Sequence, residues 1–139
     1  MNAGWLLDTS ALEQAHHPEV TRLLEPLLRS GLLHSSPLLD LEALATAGSA
    51  DSYRALAAER RAAYRPAALD PKVTARALAL QALLSRRGRY RAVDPRDLVV
   101  AATALEHNLS VLHYRRVFEL LSDLCGLHQQ AVAPLGTLR

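Results

Sequence analysis

Short apolar runs and longer amphipathic stretches take turns along the chain. Residues 4–8 (GWLLD), 32–35, 67–69, 110–113 and 130–133 are brief segments built on Leu, Val or Ala, and they predict strands. The stretches between them have helical spacing. In residues 18–30 the apolar positions Val20, Leu23, Leu24, Leu27 and Leu28 fall on one face, with Pro26 a candidate kink. Helices are likewise predicted over 37–47, 50–64, 71–87, 95–108 and 116–125, and one begins at 9–15. Helix 50–64 presents a charged face of Arg54, Glu59, Arg60 and Arg61, whereas helix 95–108 has an almost wholly apolar middle, LVVAATAL, and is read as buried. Ser36-Pro37, Asp70-Pro71 and Asp94-Pro95 each place a capping side chain before a proline at the first helical position. His17-Pro18 opens a helix with a weaker cap.

Strands that alternate with helices imply a parallel sheet with right-handed crossovers, an α/β fold. In open sheets of this kind, ligands bind beyond the carboxyl ends of the strands. Composition sharpens the picture. With 139 residues the chain makes one domain, 1–139. It has 29 Leu and 24 Ala but no Ile and only six aromatic residues, so helix dominates and strands are short. Cys125 is the sole cysteine, which excludes an internal disulfide and a cysteine-built zinc site; it reads as core. The run 98–105 is far too short to span a membrane, and Asp8 interrupts the N-terminal apolar stretch, so no signal peptide is visible. A soluble cytoplasmic protein with no membrane partner is expected.

The chemistry gathers at element ends. Asp8 closes the first strand and is followed by Thr9 and Ser10. It serves either as a helix cap or as a metal-binding carboxylate that a neighbouring hydroxyl orients. Glu42 lies one turn into the helix that Ser36 opens, and Asp40, on another face, reads as a solvated acid. Asp97 stands three residues after the cap Asp94, where an acid suits the helix dipole, and immediately before the buried run. Each acid has a structural explanation alone. Together, three carboxylates at element ends are the donor set that a hard divalent cation takes.

These residues carry a resemblance. WLLDTSAL at the N-terminus, LEAL around Glu42 and PRDLVVAATALEHNLSVLHY from Pro95 resemble the PIN-domain ribonucleases, in particular the VapC-type toxins of toxin–antitoxin pairs. The resemblance runs over essentially the whole chain. It implies a PIN-like (Rossmann-like) three-layer α/β/α sandwich around a parallel sheet, and cleavage of RNA phosphodiesters dependent on Mg²⁺ or Mn²⁺. Asp8, Glu42 and Asp97 fall on the family's first, second and third acids and carry over as metal-site ligands, with Thr9 or Ser10 as the supporting hydroxyl. A cognate VapB-type antitoxin and a homodimer are the implied protein partners. In the family the second to fourth helices form such surfaces, where Tyr53, Leu56, Leu83 and Leu84 read as core or interface.

One departure stands out. Past the last acid-bearing helix the family continues with further acids, whereas this chain reads His113-Tyr114-Arg115-Arg116-Val117-Phe118-Glu119. Arg115 and Val117 stand on the acidic positions, and Glu119 is expected to face outward. A positive charge about 6 Å from a divalent ion costs on the order of 5 kcal/mol at an effective dielectric of 20. Arg115 therefore empties a second metal position, neutralises the carboxylates, or clamps a phosphate. The alternative function is a PIN-fold module that binds RNA or an antitoxin without cutting.

The remaining features are weaker. Arg86, Arg87, Arg89, Arg91 and Arg96 form the densest basic stretch, read either as a solvated helix end and loop or as a surface steering RNA toward the acids. Net charge is +2 overall, but without the three acids the chain carries 16 bases against 11 acids, which favours a polyanion partner. His107 suits a helix C-terminus, and His113 ends a strand near the candidate site. A phosphoacceptor receiver domain is disfavoured. It requires a paired acid early in the chain and a lysine after a late strand, and the one lysine, Lys72, opens a helix.

Overall fold

The computed structural model describes residues 4–139. Five strands form one sheet, every neighbouring pair parallel: β1 (Trp5–Leu7), β2 (Leu33–Ser35), β3 (Arg65–Pro66), β4 (Ser110–His113) and β5 (Gln129–Ala131), in the order β3-β2-β1-β4-β5. The helices are α1 (Thr9–Leu12), α2 (Pro18–Arg29), α3 (Pro37–Leu44), α4 (Ala50–Ala63), α5 (Pro71–Arg86), α6 (Pro95–Glu106) and α7 (Val117–Cys125), with a 3₁₀ turn at Tyr90–Ala92. No helix among the described residues is long and apolar enough to cross a membrane.

Alternation along each strand sorts the side chains into two apolar layers. Leu6 and Val111 pack with Leu39, Val73, Leu80, Leu84, Leu98, Phe118 and Leu121 of α3, α5, α6 and α7. Leu7, Leu33, Leu112 and Val132 pack on the other side with Ala11, Val20 and Leu24 of α1 and α2. The result is the expected three-layer sandwich, and α6 is buried along its middle, from Leu98 to Ala104.

The proline-marked helix starts hold. Ser36, Asp70 and Asp94 accept from the backbone N–H groups of Leu39, Val73 and Arg96 at 3.4, 3.0 and 2.8 Å, whereas His17 makes no side-chain cap bond. Pro26 does not break α2, which runs on to Arg29.

Five expectations need correction. The third strand lies at Arg65–Pro66 rather than 67–69: β3 is a sheet edge, where proline costs no ladder bond and apolar content is not required. Ala67, though buried, only follows it, donating to the Ser35 carbonyl at 2.8 Å. The last strand begins one residue earlier and ends at Ala131. Helix α3 stops at Leu44, short of residue 47. Arg60 is not on a solvated face: its side chain is 8% exposed, with Nε 3.0 Å from Asp40 Oδ1, Nη2 donating to Ser35 Oγ at 2.9 Å, and the guanidinium 4.8 Å over the Tyr64 ring. Asp40 is correspondingly the counter-ion of a buried arginine rather than a merely solvated acid.

Candidate active site

The strand order reverses between β1 and β4, which are neighbours although four helices and two strands intervene before α5. That switch point is where open α/β sheets hold ligands. Asp8 leaves the carboxyl end of β1, Arg115 follows β4, and Asp97 sits in the first turn of α6. A cleft of about 300 Å³ opens there, lined by Asp8, Thr9, Ser10, Glu13, Glu42, Arg96 and Arg115.

Asp8 is the helix cap that its position predicted. Its Oδ2 caps α1 by accepting from the Ser10 N–H at 3.1 Å and takes the Ser10 hydroxyl at 2.6 Å. The Ser10 oxygen in turn accepts from the Tyr114 N–H at 2.9 Å, which ties the carboxylate to the end of β4. Thr9 turns its hydroxyl to Glu42 Oε1 at 2.6 Å. Both predicted supporting hydroxyls therefore hold an acid, each a different one.

At the centre of the cluster stands Arg96. Its Nη1 lies 2.6 Å from Asp8 Oδ1, in an ion pair without hydrogen-bond geometry, and donates to Asp97 Oδ1 at 2.9 Å. Its Nη2 and Nε donate to Glu42 Oε1 and Oε2 at 2.7 and 2.9 Å, a two-pronged clamp. Sequence reading placed this residue in the basic surface stretch. The structure brings it together with the acids and leaves Arg86, Arg87, Arg89 and Arg91 exposed. The missed signal was positional: a cation in a helix's first turn opposes the dipole and stays there only if acids hold it.

Arg115 adds a second guanidinium, its Nη1 2.6 Å from Asp97 Oδ1. Of the open readings at this position, this arrangement displays neutralisation of a carboxylate. Three acids against two arginines leave the centre one charge negative, before Glu13 is counted.

Burial and charge pull the site's groups in different directions. Asp8 and Asp97 are 0% and 1% exposed. Burial raises the Asp97 carboxyl, against bonds from Arg96 and the charge of Arg115 that lower it. Glu42 is lowered, chiefly by its bonds from Arg96. Burial disfavours the charge on Arg96, but Glu42, Asp8 and Asp97 outweigh it and hold the guanidinium protonated well above its ordinary value.

His113 is fully buried and does not line the cleft. Its Nδ1 accepts from the Arg115 N–H at 3.0 Å, which leaves Nε2 as the donor to Gln129 Oε1 at 2.6 Å. It thus positions the turn that carries Arg115. Cys125 is half-buried against the core, with Sγ donating to the Leu121 carbonyl, His107 caps α6, and Glu119 is exposed as expected.

The donor set suits a hard divalent ion: all oxygen, two carboxylates fully buried, and two buried oxygens, Asp8 Oδ1 and Asp97 Oδ2, without a hydrogen-bond partner. Yet the acids surround a guanidinium, and among the described residues no three acidic, histidine or cysteine side chains meet closely enough to share one ion.

A parallel sheet in this order, with a polar cleft at its switch point, is an open α/β sandwich that holds its ligands beyond the strand ends. The PIN-domain profile matches residues 5–123, and the chain belongs to the PIN-domain family. Among its relatives, "Ribonuclease VapC21" of Mycobacterium tuberculosis is 36% identical over 137 residues, covering 99% of each chain. "Ribonuclease VapC51" of the same species is 33% identical over 138 residues, again 99% of each. In the solved DNA-bound VapBC structure from Salmonella typhimurium, one chain superposes with a TM-score of 0.74 over 96% of this chain and 100% of its own, at 19% identity, which shows the shared fold.

Proposed function

We infer that this protein is a VapC-type endoribonuclease that hydrolyses RNA phosphodiesters with a divalent cation, Mg²⁺ or Mn²⁺, and is held in check by a VapB-type antitoxin. The observation that carries the reading is the convergence of Asp8, Glu42 and Asp97 on one guanidinium, Arg96, at the switch point, in a chain that shares a third of its residues over full length with named VapC ribonucleases. Asp8, Glu42 and Asp97 would hold the ion. When bound, it supplies the Lewis acidity that phosphodiester hydrolysis needs.

The chain's own residues supply position and charge. Ser10 and Thr9 fix the rotamers of Asp8 and Glu42 through hydroxyl bonds. Arg115, 43% exposed at the cleft mouth, is placed to take a phosphate oxygen of the substrate. Arg86, Arg87, Arg89 and Arg91 precede α6 and raise the local concentration of a polyanion at its N-terminal end. An apolar cleft between α5 and α6, where Leu78 is 63% exposed, supports pairing with a second copy, which light scattering would read as twice 15.2 kDa.

One observation favours a second reading, a PIN module that binds without cutting: two guanidiniums already offset the acids, and one of them, Arg115, stands where the family carries an acid. The test is cleavage of a mixed pool of structured RNAs by the purified chain in Mg²⁺, in Mn²⁺ and in EDTA, with Arg115→Asp alongside. Cutting in either metal and none in EDTA is the expected result. Cutting that persists in EDTA contradicts the metal reading, and a silent wild type restored by Arg115→Asp establishes the binding module instead.

A further inference from the structure

We propose that Arg96 sets the cation affinity of the acidic cluster: its guanidinium and a divalent ion compete for the same carboxylate oxygens, so the ion loads only as Arg96 leaves. The proposal rests on the preceding reading that Asp8, Glu42 and Asp97 hold the ion.

The oxygens decide it. Three carboxylates offer six. Arg96 takes four of them: Asp8 Oδ1, Asp97 Oδ1 and both oxygens of Glu42. Ser10 takes a fifth, Asp8 Oδ2, through its hydroxyl and its backbone N–H. Of the six, Asp97 Oδ2 alone has neither a hydrogen bond nor an ion pair. A single free oxygen is a poor foothold for a small cation that dehydrates reluctantly. The guanidinium also contributes a full positive charge at contact distance from the same atoms, so ion and arginine repel as well as compete.

The geometry also says why Arg96 can give way. It projects from the first turn of α6, where the helix dipole opposes a cation, and only the acids hold it there. Once an ion draws those acids, the attraction that retains the side chain is gone. Its side chain is 18% exposed at a cleft of about 300 Å³, so it has an open path toward solvent. Arg115 is different. Among the described residues its side chain pairs with Asp97 Oδ1 alone, is 43% exposed, and competes for one oxygen rather than four. The two arginines are thus unequal, and Arg96 is the dominant positioning residue for cation uptake.

The experiment is Mn²⁺ titration by calorimetry on the wild type, Arg96→Gln and Arg115→Gln, with thermal melts in EDTA and in saturating Mn²⁺. Arg96→Gln is expected to bind Mn²⁺ at least tenfold more tightly, to melt lower in EDTA, and to gain more on Mn²⁺ addition; Arg115→Gln is expected to change affinity by less. A second measurement needs no variant. In ¹⁵N spectra of the wild type, the Arg96 Nε–H signal is expected to shift and to begin exchanging with solvent as Mg²⁺ is added. Equal or weaker Mn²⁺ binding by Arg96→Gln, or an Arg96 signal unmoved at Mg²⁺ saturation, overturns the proposal while leaving the metal site standing. Absence of Mn²⁺ uptake in every form removes the metal reading itself, and this proposal with it.

Discussion

Asp8 sits between a serine that caps with it and an arginine that pairs with it, and it is entirely out of solvent. Removing a carboxylate so completely from water is costly unless such partners compensate it. Asp8 and Asp97 drew notice in the sequence because they stand at element ends, and Glu42, inside α3, through the family pattern. Arg96 did not, because linear order shows an arginine in a basic run and says nothing of three acids from α3, β1's end and α6 converging on it. Arg60 was missed for a related reason: helical spacing placed it on a charged face, and only the contact between α3 and α4 reveals Asp40 and Ser35 beside it. His113 gives a residue-scale prediction. Burial lowers it below its ordinary 6.5 in the folded chain. Between the ordinary value and the lower folded one, the unfolded chain binds more protons, so stability falls as pH drops through that window. The urea midpoint is expected to decrease from pH 7.5 to 5.5, and His113→Gln to reduce that slope; a midpoint that rises on acidification contradicts the assignment.

Elements were read best where their ends carry chemistry. The helices opened by Ser36, Asp70 and Asp94 begin where the proline follows the cap. Strands were read less well at the sheet's edges, since β3 consists of Arg65 and Pro66 and β5 of residues with little apolar content. What defines them is pairing with β2 and β4, a long-range property. The start of β1 adds a constraint that the apolar pattern hides. Gly4 has φ +151°, and a Cβ there would lie 2.7 Å from the Leu32 carbonyl oxygen. That contact is with backbone next to the bond from the Trp5 N–H to the same oxygen, so relief requires a shift of β1 against β2. Gly4→Ala is expected to cost about 1–3 kcal/mol in denaturant unfolding. No change in the midpoint would show that the strand entry tolerates a side chain.

At the scale of the whole molecule, the chain builds β1, β2 and β3 outward to one side, then crosses to β4 and β5 on the other. This order sets the end of β1 beside the end of β4 and brings the first turn of α6 over both, so one topology gathers residues 8, 42, 97 and 115. Parallel order followed from alternation of strand and helix and the three-layer sandwich from resemblance; the particular order of strands is a long-range property that neither supplied. Two apolar layers hold the scaffold without any help from the site, which is a mostly polar inset at its edge. The account therefore separates fold from chemistry: one acid can be changed while the sandwich remains. The most direct measurement is the rate of RNA cleavage by Asp8→Asn at saturating Mn²⁺, beside the wild type and with folding checked by circular dichroism. The account predicts a fall of roughly a hundredfold or more, in line with loss of a group that stabilises transition-state charge. Cleavage within a few-fold of wild type by a folded Asp8→Asn protein would contradict it.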